Sequence, residues 1–226
     1  MNITITGGAG FLGRQLARKL LAAGEIAGAD GGQHPVTSVT LLDAVEPPPF
    51  ERADPRLRVA VGDIAERAFV ERAIGPGTDC VFHLAAVVSG AAEADFDLGM
   101  RANLDGTRNV LEACRALGTR PRLLFASSIA VFGGDMPATL TDATPPAPQT
   151  SYGTQKAIGE LLVGDYTRKA FINGRTVRLP TIVVRPGKPN KAASTFASSI
   201  LREPLAGAEA VCPVEPDARM WILSPR

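Results

Sequence analysis

Short runs of apolar, often β-branched residues alternate along the chain with longer stretches in which apolar positions recur every three or four residues. The short runs are typical of β-strands, and the longer stretches are typical of amphipathic helices. The predicted strands are NITIT, SVTLLD, LRVAVGD, DCVFHLAA, RLLFASS and RTVRLPTIVV. Because these runs are apolar on both faces, they predict buried parallel strands that are covered by helices.

The segments between the strands supply the predicted helices, at about residues 11–23, 64–74, 95–117 and 151–171. This alternation predicts an α/β fold with a doubly wound parallel sheet, the Rossmann architecture. Gly and Pro clusters predict surface loops at EIAGADGGQHPVT and EPPPFERADP. Beyond about Pro186 the alternation stops, so we expect one main domain at residues 1–187 and a small lobe, a loop plus a short helix, at 188–226.

Composition excludes several classes of protein. The chain has 24 basic and 23 acidic residues, scattered without a basic patch, so neither nucleic acid nor an anionic membrane is an expected partner. No apolar run reaches membrane-spanning length, and the opening MNITITGG is too short and too polar for a signal peptide. Three cysteines lie far apart, which predicts buried thiols in a reducing compartment, the cytoplasm. Neither histidine has a Cys or His near it, so no metal site is expected.

The turn after the first predicted strand, TGGAGFLG, carries glycines at positions 7, 10 and 13, with Phe11 and Leu12 inside the motif. Glycines let the backbone turn tightly and approach a pyrophosphate, and the following helix presents unpaired N–H groups to it. A glycine triplet is a weak signal by itself, but here it joins a strand to a helix. We therefore predict that Gly7, Gly10, Phe11, Leu12 and Gly13 bind a dinucleotide.

Asp43 ends the second main strand, VTLLD, and can accept hydrogen bonds from both hydroxyls of an adenosine ribose. No arginine directly follows it, and a carboxylate repels a 2′-phosphate, so the predicted cofactor is NAD in preference to NADP. An aspartate that only stabilises a turn is the alternative interpretation.

Further motifs extend this pattern: GDI at residue 62, FHLAA at 82, NLDGTRNVLEAC at 103, FASSIAVFG at 125 and Tyr152-x-x-x-Lys156. From Met1 to about Gly187 the series resembles the extended short-chain dehydrogenase/reductase family, the NAD-dependent epimerases and dehydratases. The resemblance implies that Ser128, Tyr152 and Lys156 are catalytic. It also implies cofactor contacts at Asp63, Ile64, Leu84, Ala85, Ala86, Asn103, Tyr152, Lys156 and Ile182. Asn103 is otherwise explained as an ordinary helix asparagine, and His83 as a hydrogen-bonded core residue.

The implied chemistry has physical requirements. Oxidising an alcohol removes its proton as hydride leaves carbon, and a phenol of ordinary pKa is a poor base at neutral pH. Lys156 lies one helical turn from Tyr152, so its charge, with that of oxidised nicotinamide, is expected to lower the pKa of the phenol. Ser128 ends a strand at the edge of the sheet where ligands bind. Ser127 is the competing choice, separated from Ser128 only by the resemblance.

Three longer stretches, at residues 82–115, 151–166 and 178–205, resemble one subgroup of this family more narrowly. That subgroup oxidises the C2 hydroxyl of the four-carbon sugar acid D-erythronate with NAD. The predicted substrate contacts are Ser89, Ser128, Thr181, Arg185, Asn190 and Lys191. A solvated basic loop explains the positive charges near residue 185 equally well. The nucleotide-sugar dehydratases of the resembled family carry an acidic pair just after the catalytic hydroxyl. Here Ile129 and Ala130 follow Ser128, so dehydration is a disfavoured reaction.

Two alternatives stay open: a sugar or nucleotide-sugar epimerase with tightly bound NAD, and a dinucleotide-binding protein without catalysis. The resemblance further implies a homodimer through the two long helices that hold Asn103 and Tyr152. It also implies that the substrate lobe is incomplete, since family members usually continue for several tens of residues beyond this point.

Overall fold

The computed structural model describes residues 1–185, 193–215 and 217–225. Six strands form one sheet: β1 (Asn2–Thr6), β4 (Ser38–Asp43), β5 (Leu57–Val61), β6 (Cys80–His83), β7 (Arg122–Ser128) and β8 (Asn173–Leu179). Two short pairs accompany it. They are the antiparallel β2 (Glu25–Ala27) and β3 (Gln33–Pro35), and the parallel β9 (Thr181–Ile182) and β10 (Ile222–Leu223).

The helices in chain order are α1 (Phe11–Ala23), α2 (Arg67–Ala73), α3 (Ser89–Ala94), α4 (Phe96–Gly99), α5 (Gly106–Ala116), α6 (Ser151–Arg168) and α7 (Phe196–Leu205). A π-helical segment, Met100–Asp105, joins α4 to α5, and 3₁₀ turns occupy Ile129–Val131 and Ala193–Thr195. α1 ends at Gly24, whose left-handed backbone lets its N–H donate to the carbonyl of Leu20. In the described residues, none of the helices is long and apolar enough to cross a bilayer.

The main sheet is parallel throughout, in the order β5-β4-β1-β6-β7-β8. The strand order reverses between β1 and β6, and ligands of such sheets bind outside the carboxyl ends of the strands at that reversal. Two buried apolar clusters hold the layers together. One includes Ile3, Ile5 and Leu41, and the other includes Leu111, Phe125 and Ile172. The predicted doubly wound α/β fold is confirmed.

Several sequence expectations need correction. LRVAVGD forms β5, but this strand is the sheet edge and is half exposed, because a neighbouring strand covers it on one side only. EIAGADGGQHPVT is not a plain loop. It contains the β2–β3 hairpin, whose turn is stabilised by a contact between His34 and Asp30. The prediction of buried thiols holds for Cys80 and Cys114 and is wrong for Cys212, which lies in an exposed stretch after α7.

The small C-terminal lobe is less enclosed than the sheet. In the described residues its buried side chains are those of Ala197, Ser198 and Ser199, on one face of α7. The β9–β10 pair links residues 222–223 back to residues 181–182. The predicted domain boundary at residues 187 and 188 lies outside the described residues and stays a prediction.

Candidate functional site

The glycine turn lies where β1 and β6 separate. Gly7 has a positive φ of 72°, and a Cβ there would lie 2.8 Å from the backbone nitrogen of Ala85 on the neighbouring strand end. A Cβ on Gly13 would lie 2.3 Å from the carbonyl oxygen of Gly7. Gly8, which the predicted triplet omits, is also confined, since its Cβ would lie 2.6 Å from the Cβ of Leu41. The turn is therefore a backbone cradle that side chains would fill, and this fits the pyrophosphate of NAD.

Asp43 lies against this turn from the end of β4. One carboxylate oxygen accepts a hydrogen bond of 2.9 Å from the backbone N–H of Ala9, inside the glycine motif. The structure thus brings together the two features that the sequence predicted as the pyrophosphate and ribose sites. The same contact shows that Asp43 also supports the turn, which was the alternative interpretation.

The residues predicted beside the adenine lie after β5. Asp63 accepts from the backbone N–H of Ala65 and forms an ion pair with Arg101 of the π-helical segment. Ile64 is buried against Gly106, at the start of α5. Neither side chain lines the cavity described below, so their contact with adenine stays a prediction.

A cavity of about 670 Å³ opens at the carboxyl ends of β6 and β7, beside the glycine turn. The residues that line it include most of the predicted cofactor and substrate contacts: Gly10, Phe11, Leu12, Leu84, Ala86, Ser89, Ser128, Tyr152, Lys156, Thr181, Ile182 and Arg185. Ala85 does not line it. Its N–H donates 3.1 Å to the hydroxyl of Thr6, and its methyl group packs into the core beneath Gly7. Asn190 and Lys191, like Lys188, lie outside the described residues.

Asn103 acts on this cavity through another segment. Its side-chain oxygen accepts from the N–H of Val87 at 2.8 Å, and its amide nitrogen donates to the carbonyl of Val87 at 3.1 Å and to the Gln155 side chain at 2.7 Å. Val87 lies between Ala86 and Val88, which line the cavity. Asn103 therefore holds the backbone of the cavity wall and links it to α6. No sequence pattern pointed to Gln155, because its partner Asn103 is distant along the chain.

Tyr152 and Lys156 lie on the first turns of α6, which begins at Ser151 and has Thr150 as its N-cap. The Thr150 hydroxyl accepts from the N–H of Gly153, as a helix cap does. A Cβ on Gly153 would lie 2.2 Å from the carbonyl oxygen of Ala130, so glycine allows the helix to approach the turn after β7 closely. This approach places Tyr152 on the same cavity as Ser128, which ends β7.

Burial dominates the electrostatics of this group. It raises the pKa of Tyr152 above its usual value, and the hydrogen bond with Ser128 lowers it in part. Burial also lowers the pKa of Lys156 to about 8. The Lys156 ammonium donates 2.9 Å to the carbonyl of Ala126 and lies 5.8 Å from the centre of the Tyr152 ring. The expected lowering of the phenol's pKa is therefore not produced by the chain's own groups, because the cost of burying the phenolate exceeds it.

The two serines at the end of β7 have different surroundings. Ser127 is 2% exposed, and its hydroxyl donates 2.5 Å to Glu160, which also pairs with Arg178 at 2.7 Å. The hydroxyl of Ser128 accepts from the N–H of Ala130, has no carboxylate partner among the described residues, and lowers the pKa of Tyr152. Geometry thus favours Ser128, which the sequence separated from Ser127 only by resemblance.

His83 is a core residue, as the sequence suggested. Its ring nitrogens contact the hydroxyls of Thr6 at 2.7 Å and Thr107 at 2.9 Å, and burial lowers its pKa to about 3. The ring is therefore neutral at physiological pH. It ties the end of β1 to α5 beneath the glycine turn.

The charges at the cavity have one sign. Among the described residues that line it, Lys156, Arg185 and Arg202 are cationic, and none carries a carboxylate. Arg202, on α7, was not predicted, because a charged helix residue followed by Glu203 looks like ordinary surface in a sequence. A cationic lining attracts anionic ligands, and dinucleotides and sugar acids are both anions. No group of described residues has the makings of a metal site.

Comparisons with known proteins agree with this arrangement. The profile of the NAD dependent epimerase/dehydratase family matches residues 3–218. The chain is 58% identical, over its whole length, to a D-erythronate dehydrogenase of Cupriavidus necator, and 49% identical to one of Haemophilus influenzae; it spans 69% of the length of each.

Among solved structures, the chain resembles a nucleoside-diphosphate-sugar epimerase from Agrobacterium tumefaciens. The TM-score is 0.90 at 47% identity, covering 100% of this chain and 66% of that one. The predictions of the family, of NAD as the cofactor and of an NAD-dependent oxidoreductase are confirmed. The chain belongs to the NAD dependent epimerase/dehydratase family.

Proposed function

We propose that this protein oxidises the C2 hydroxyl of a small sugar acid of the D-erythronate type to the 2-oxo acid, with Tyr152 as the base. The observation that carries the proposal is that Ser128, Tyr152 and Lys156 share one cationic cavity with Gly10 of the glycine turn. The activity named for the two curated relatives supports the choice of substrate class.

The chain's residues divide the work of NAD binding and proton removal. We assign the pyrophosphate to the turn at Gly7, Gly10 and Gly13, and the adenosine ribose to Asp43. Bound oxidised NAD supplies the hydride acceptor and a positive charge that favours the phenolate. Asp63, Ile64, Leu84, Ala86 and Ile182 complete the proposed cofactor contacts.

Tyr152 takes the proton of the substrate hydroxyl, and Ser128 holds the oxygen while the proton moves. Ser128 is suited to this because its side chain lines the same cavity as the phenol. Burial lowers the pKa of Lys156 to about 8, which leaves the side chain mainly protonated at neutral pH. The ammonium therefore stabilises the phenolate and donates toward the nicotinamide ribose.

Substrate contacts are assigned to Ser89, Ser128, Thr181 and Arg185, which line the cavity. Asn190 and Lys191 remain proposed contacts on the strength of the sequence alone.

A test follows the absorbance of reduced nicotinamide when the protein and NAD are mixed with D-erythronate and a panel of other four- to six-carbon aldonates. Steady NADH production on D-erythronate is expected. No production on any acid would refute the proposal.

A nucleotide-sugar epimerase is the second candidate, favoured by the likeness to the nucleoside-diphosphate-sugar epimerase from Agrobacterium tumefaciens at 47% identity. An epimerase would retain NAD through purification and interconvert a sugar nucleotide without net NADH. If the protein binds NAD but neither reaction occurs, the dinucleotide-binding protein without catalysis is the remaining interpretation.

We also propose a homodimer through α5 and α6. The proposal comes from the family resemblance, and Leu161, an apolar residue of α6 that is 76% exposed, is the position at which it is tested. Sedimentation of the wild-type protein and of Leu161→Glu tests this, since a dimer is expected only for the wild type. A cytoplasmic location is part of the same proposal and fits the free thiols of Cys80 and Cys114.

A further inference from the structure

The cavity has two arginines at its substrate side, on two different segments. Arg185 follows β9, and Arg202 lies on the last turns of α7. Both are largely covered, and burial together with the charge of Arg202 lowers the pKa of Arg185. Two guanidinium groups that repel each other inside one cavity favour an anion between them.

Arg202 is held in place by the described residues around it. It donates 2.7 Å to the carbonyl of Arg185, 3.2 Å to the hydroxyl of Ser199, and to the carboxylate of Glu203. These contacts account for three of the five N–H donors of a guanidinium. A side chain fixed in this way loses little conformational freedom when it binds a ligand.

Glu203 does not cancel the positive charge at this end of the cavity. Among the described residues it forms an ion pair with Arg202, and these two arginines and one glutamate together carry one net positive charge. Glu203 does not line the cavity, whereas both arginines do. One singly charged anion would therefore balance the group.

We propose that Arg202, together with Arg185, binds the carboxylate of the substrate and makes the enzyme select acids over neutral polyols. The proposal rests on the proposed function, which places an alcohol at Tyr152 in the same cavity. It adds a residue of α7 that selects the substrate and leaves the proton path unchanged.

The cavity has room for a small acid beside the nicotinamide end of NAD. Its volume, about 670 Å³, is in the ordinary range for one ligand, ~300–1000 Å³. The same space includes Phe11 and Leu12 of the glycine turn. The nicotinamide end of NAD therefore takes part of the volume, and a four-carbon acid fits the remainder.

The experiment measures binding separately from turnover. D-erythronate and its neutral amide, erythronamide, are titrated calorimetrically into the full chain saturated with NADH, so that no reaction occurs. Arg202→Gln is expected to raise the dissociation constant of the acid by about 30- to 100-fold, because a charge-assisted contact is lost. Its dissociation constant for the amide is expected to stay within about threefold, and Arg202→Lys is expected to recover part of the acid affinity.

Arg168→Gln is the matched control, because Arg168 is exposed on α6 and pairs only with Asp165 among the described residues. Circular dichroism melts show whether each variant folds. If Arg202→Gln does not fold, the comparison of acid and amide binding is made with Arg202→Lys. Equal losses for acid and amide would mean a purely structural role and would overturn the proposal. So would unchanged acid binding, or Arg202-dependent binding of inorganic pyrophosphate that exceeds acid binding.

The outcome is independent of whether the proposed function holds. If the wild-type protein binds D-erythronate through Arg202 but never produces NADH, the proposed reaction fails and the carboxylate site stands. If NADH is produced and Arg202→Gln keeps the wild-type KM for the acid, the reaction stands and the carboxylate site fails.

Discussion

The sheet body, residues 1–185, and the C-terminal lobe, residues 193–225, are built in different ways. The body buries two continuous apolar clusters, and its site residues occupy strand ends and helix turns that those clusters fix. The lobe buries one face of α7 and leaves Leu205, Val211 and Trp221 exposed. Its main contribution to the cavity is charge, at Arg202. We therefore propose that the chemistry, which needs accurate placement, lies in the body, and that the lobe selects the ligand.

The largest expected effect comes from the proton path in the body. Tyr152→Phe removes the hydroxyl and is expected to lower kcat by about 10²- to 10⁴-fold, the usual contribution of general acid–base catalysis. The dissociation constant of NAD should stay near the wild-type value, because the ring remains. Stopped-flow reduction of NAD and fluorescence titration measure the two quantities.

Tyr166→Phe is the matched control, because Tyr166 is the second of the two tyrosines and does not line the cavity. Its hydroxyl, on α6, donates a hydrogen bond to Glu112 of α5. Normal turnover by Tyr152→Phe would remove the assignment of the base and, with it, the idea that the body carries the chemistry.

Next in size is the glycine cradle. Gly13→Ala would place a methyl group 2.3 Å from the carbonyl of Gly7. Overpacking of this kind is expected to cost about 1–3 kcal/mol in unfolding free energy. NAD affinity is expected to fall by about 10- to 100-fold, because the turn that faces the pyrophosphate must shift. Urea unfolding and NAD titration report the two effects.

Gly164→Ala on α6 provides the contrast. A Cβ there meets no atom within 4 Å, so alanine is expected to stabilise the helix by about 0.5–1 kcal/mol. If both substitutions behaved alike, steric confinement would not explain the glycine turn.

Burial of the Lys156 ammonium destabilises the fold of the body. It therefore predicts that the unfolding free energy depends on pH. Its pKa falls from 10.5 to about 8 on folding. At pH 7 the ammonium is protonated in both states, so its burial destabilises the fold. Between about pH 8 and 10.5 the folded chain releases this proton and the unfolded chain keeps it, so the penalty disappears as the pH rises.

Lys156→Met is therefore expected to gain roughly 1–3 kcal/mol in unfolding free energy at pH 7 while losing activity. The advantage over the wild type should shrink above pH 8. Urea melts at several pH values give the comparison, with Lys169→Met at the exposed end of α6 as the control. A gain that did not change with pH would point to packing instead of charge.

Cofactor choice is expected to respond more weakly. Asp43→Ala removes the ribose acceptor and the contact with Ala9, and about tenfold weaker NAD binding follows from the loss of one or two hydrogen bonds. The ratio of NAD to NADP affinity should narrow, because the carboxylate that repels a 2′-phosphate is gone. Competition titrations of both cofactors measure it, with Asp165→Ala on exposed α6 as the control. An unchanged ratio would contradict the assignment of Asp43.

The fold and the cofactor half were predictable because each depends on local sequence. Strands apolar on both faces predicted the parallel sheet, and a glycine turn between a strand and a helix predicted the cradle. β5 was misjudged because an edge strand and a central strand can carry the same residues. The position of LRVAVGD at the edge follows only from the order of the assembled sheet.

Contacts between distant segments were not predictable in this way. The link from Gln155 through Asn103 to Val87 joins three parts of the chain, and each residue alone is an ordinary helix or loop residue. Arg202 enters the cavity only because α7 packs beside Arg185. The direction of the Tyr152 pKa also depends on burial, which spacing along a helix does not reveal.

The smallest expected effect tests the exposed state of the lobe. Leu205, at the end of α7, is 89% exposed, so Leu205→Ala is expected to change the unfolding free energy by less than about 0.5 kcal/mol. Leu111→Ala, in the core of the body, should cost about 2–5 kcal/mol because it leaves a cavity. Urea unfolding at two protein concentrations measures both variants. A loss of unfolding free energy for Leu205→Ala that is comparable to that of Leu111→Ala and depends on protein concentration would mean that a second copy covers the lobe. The contrast between an enclosed body and an open lobe would then hold only for the single chain.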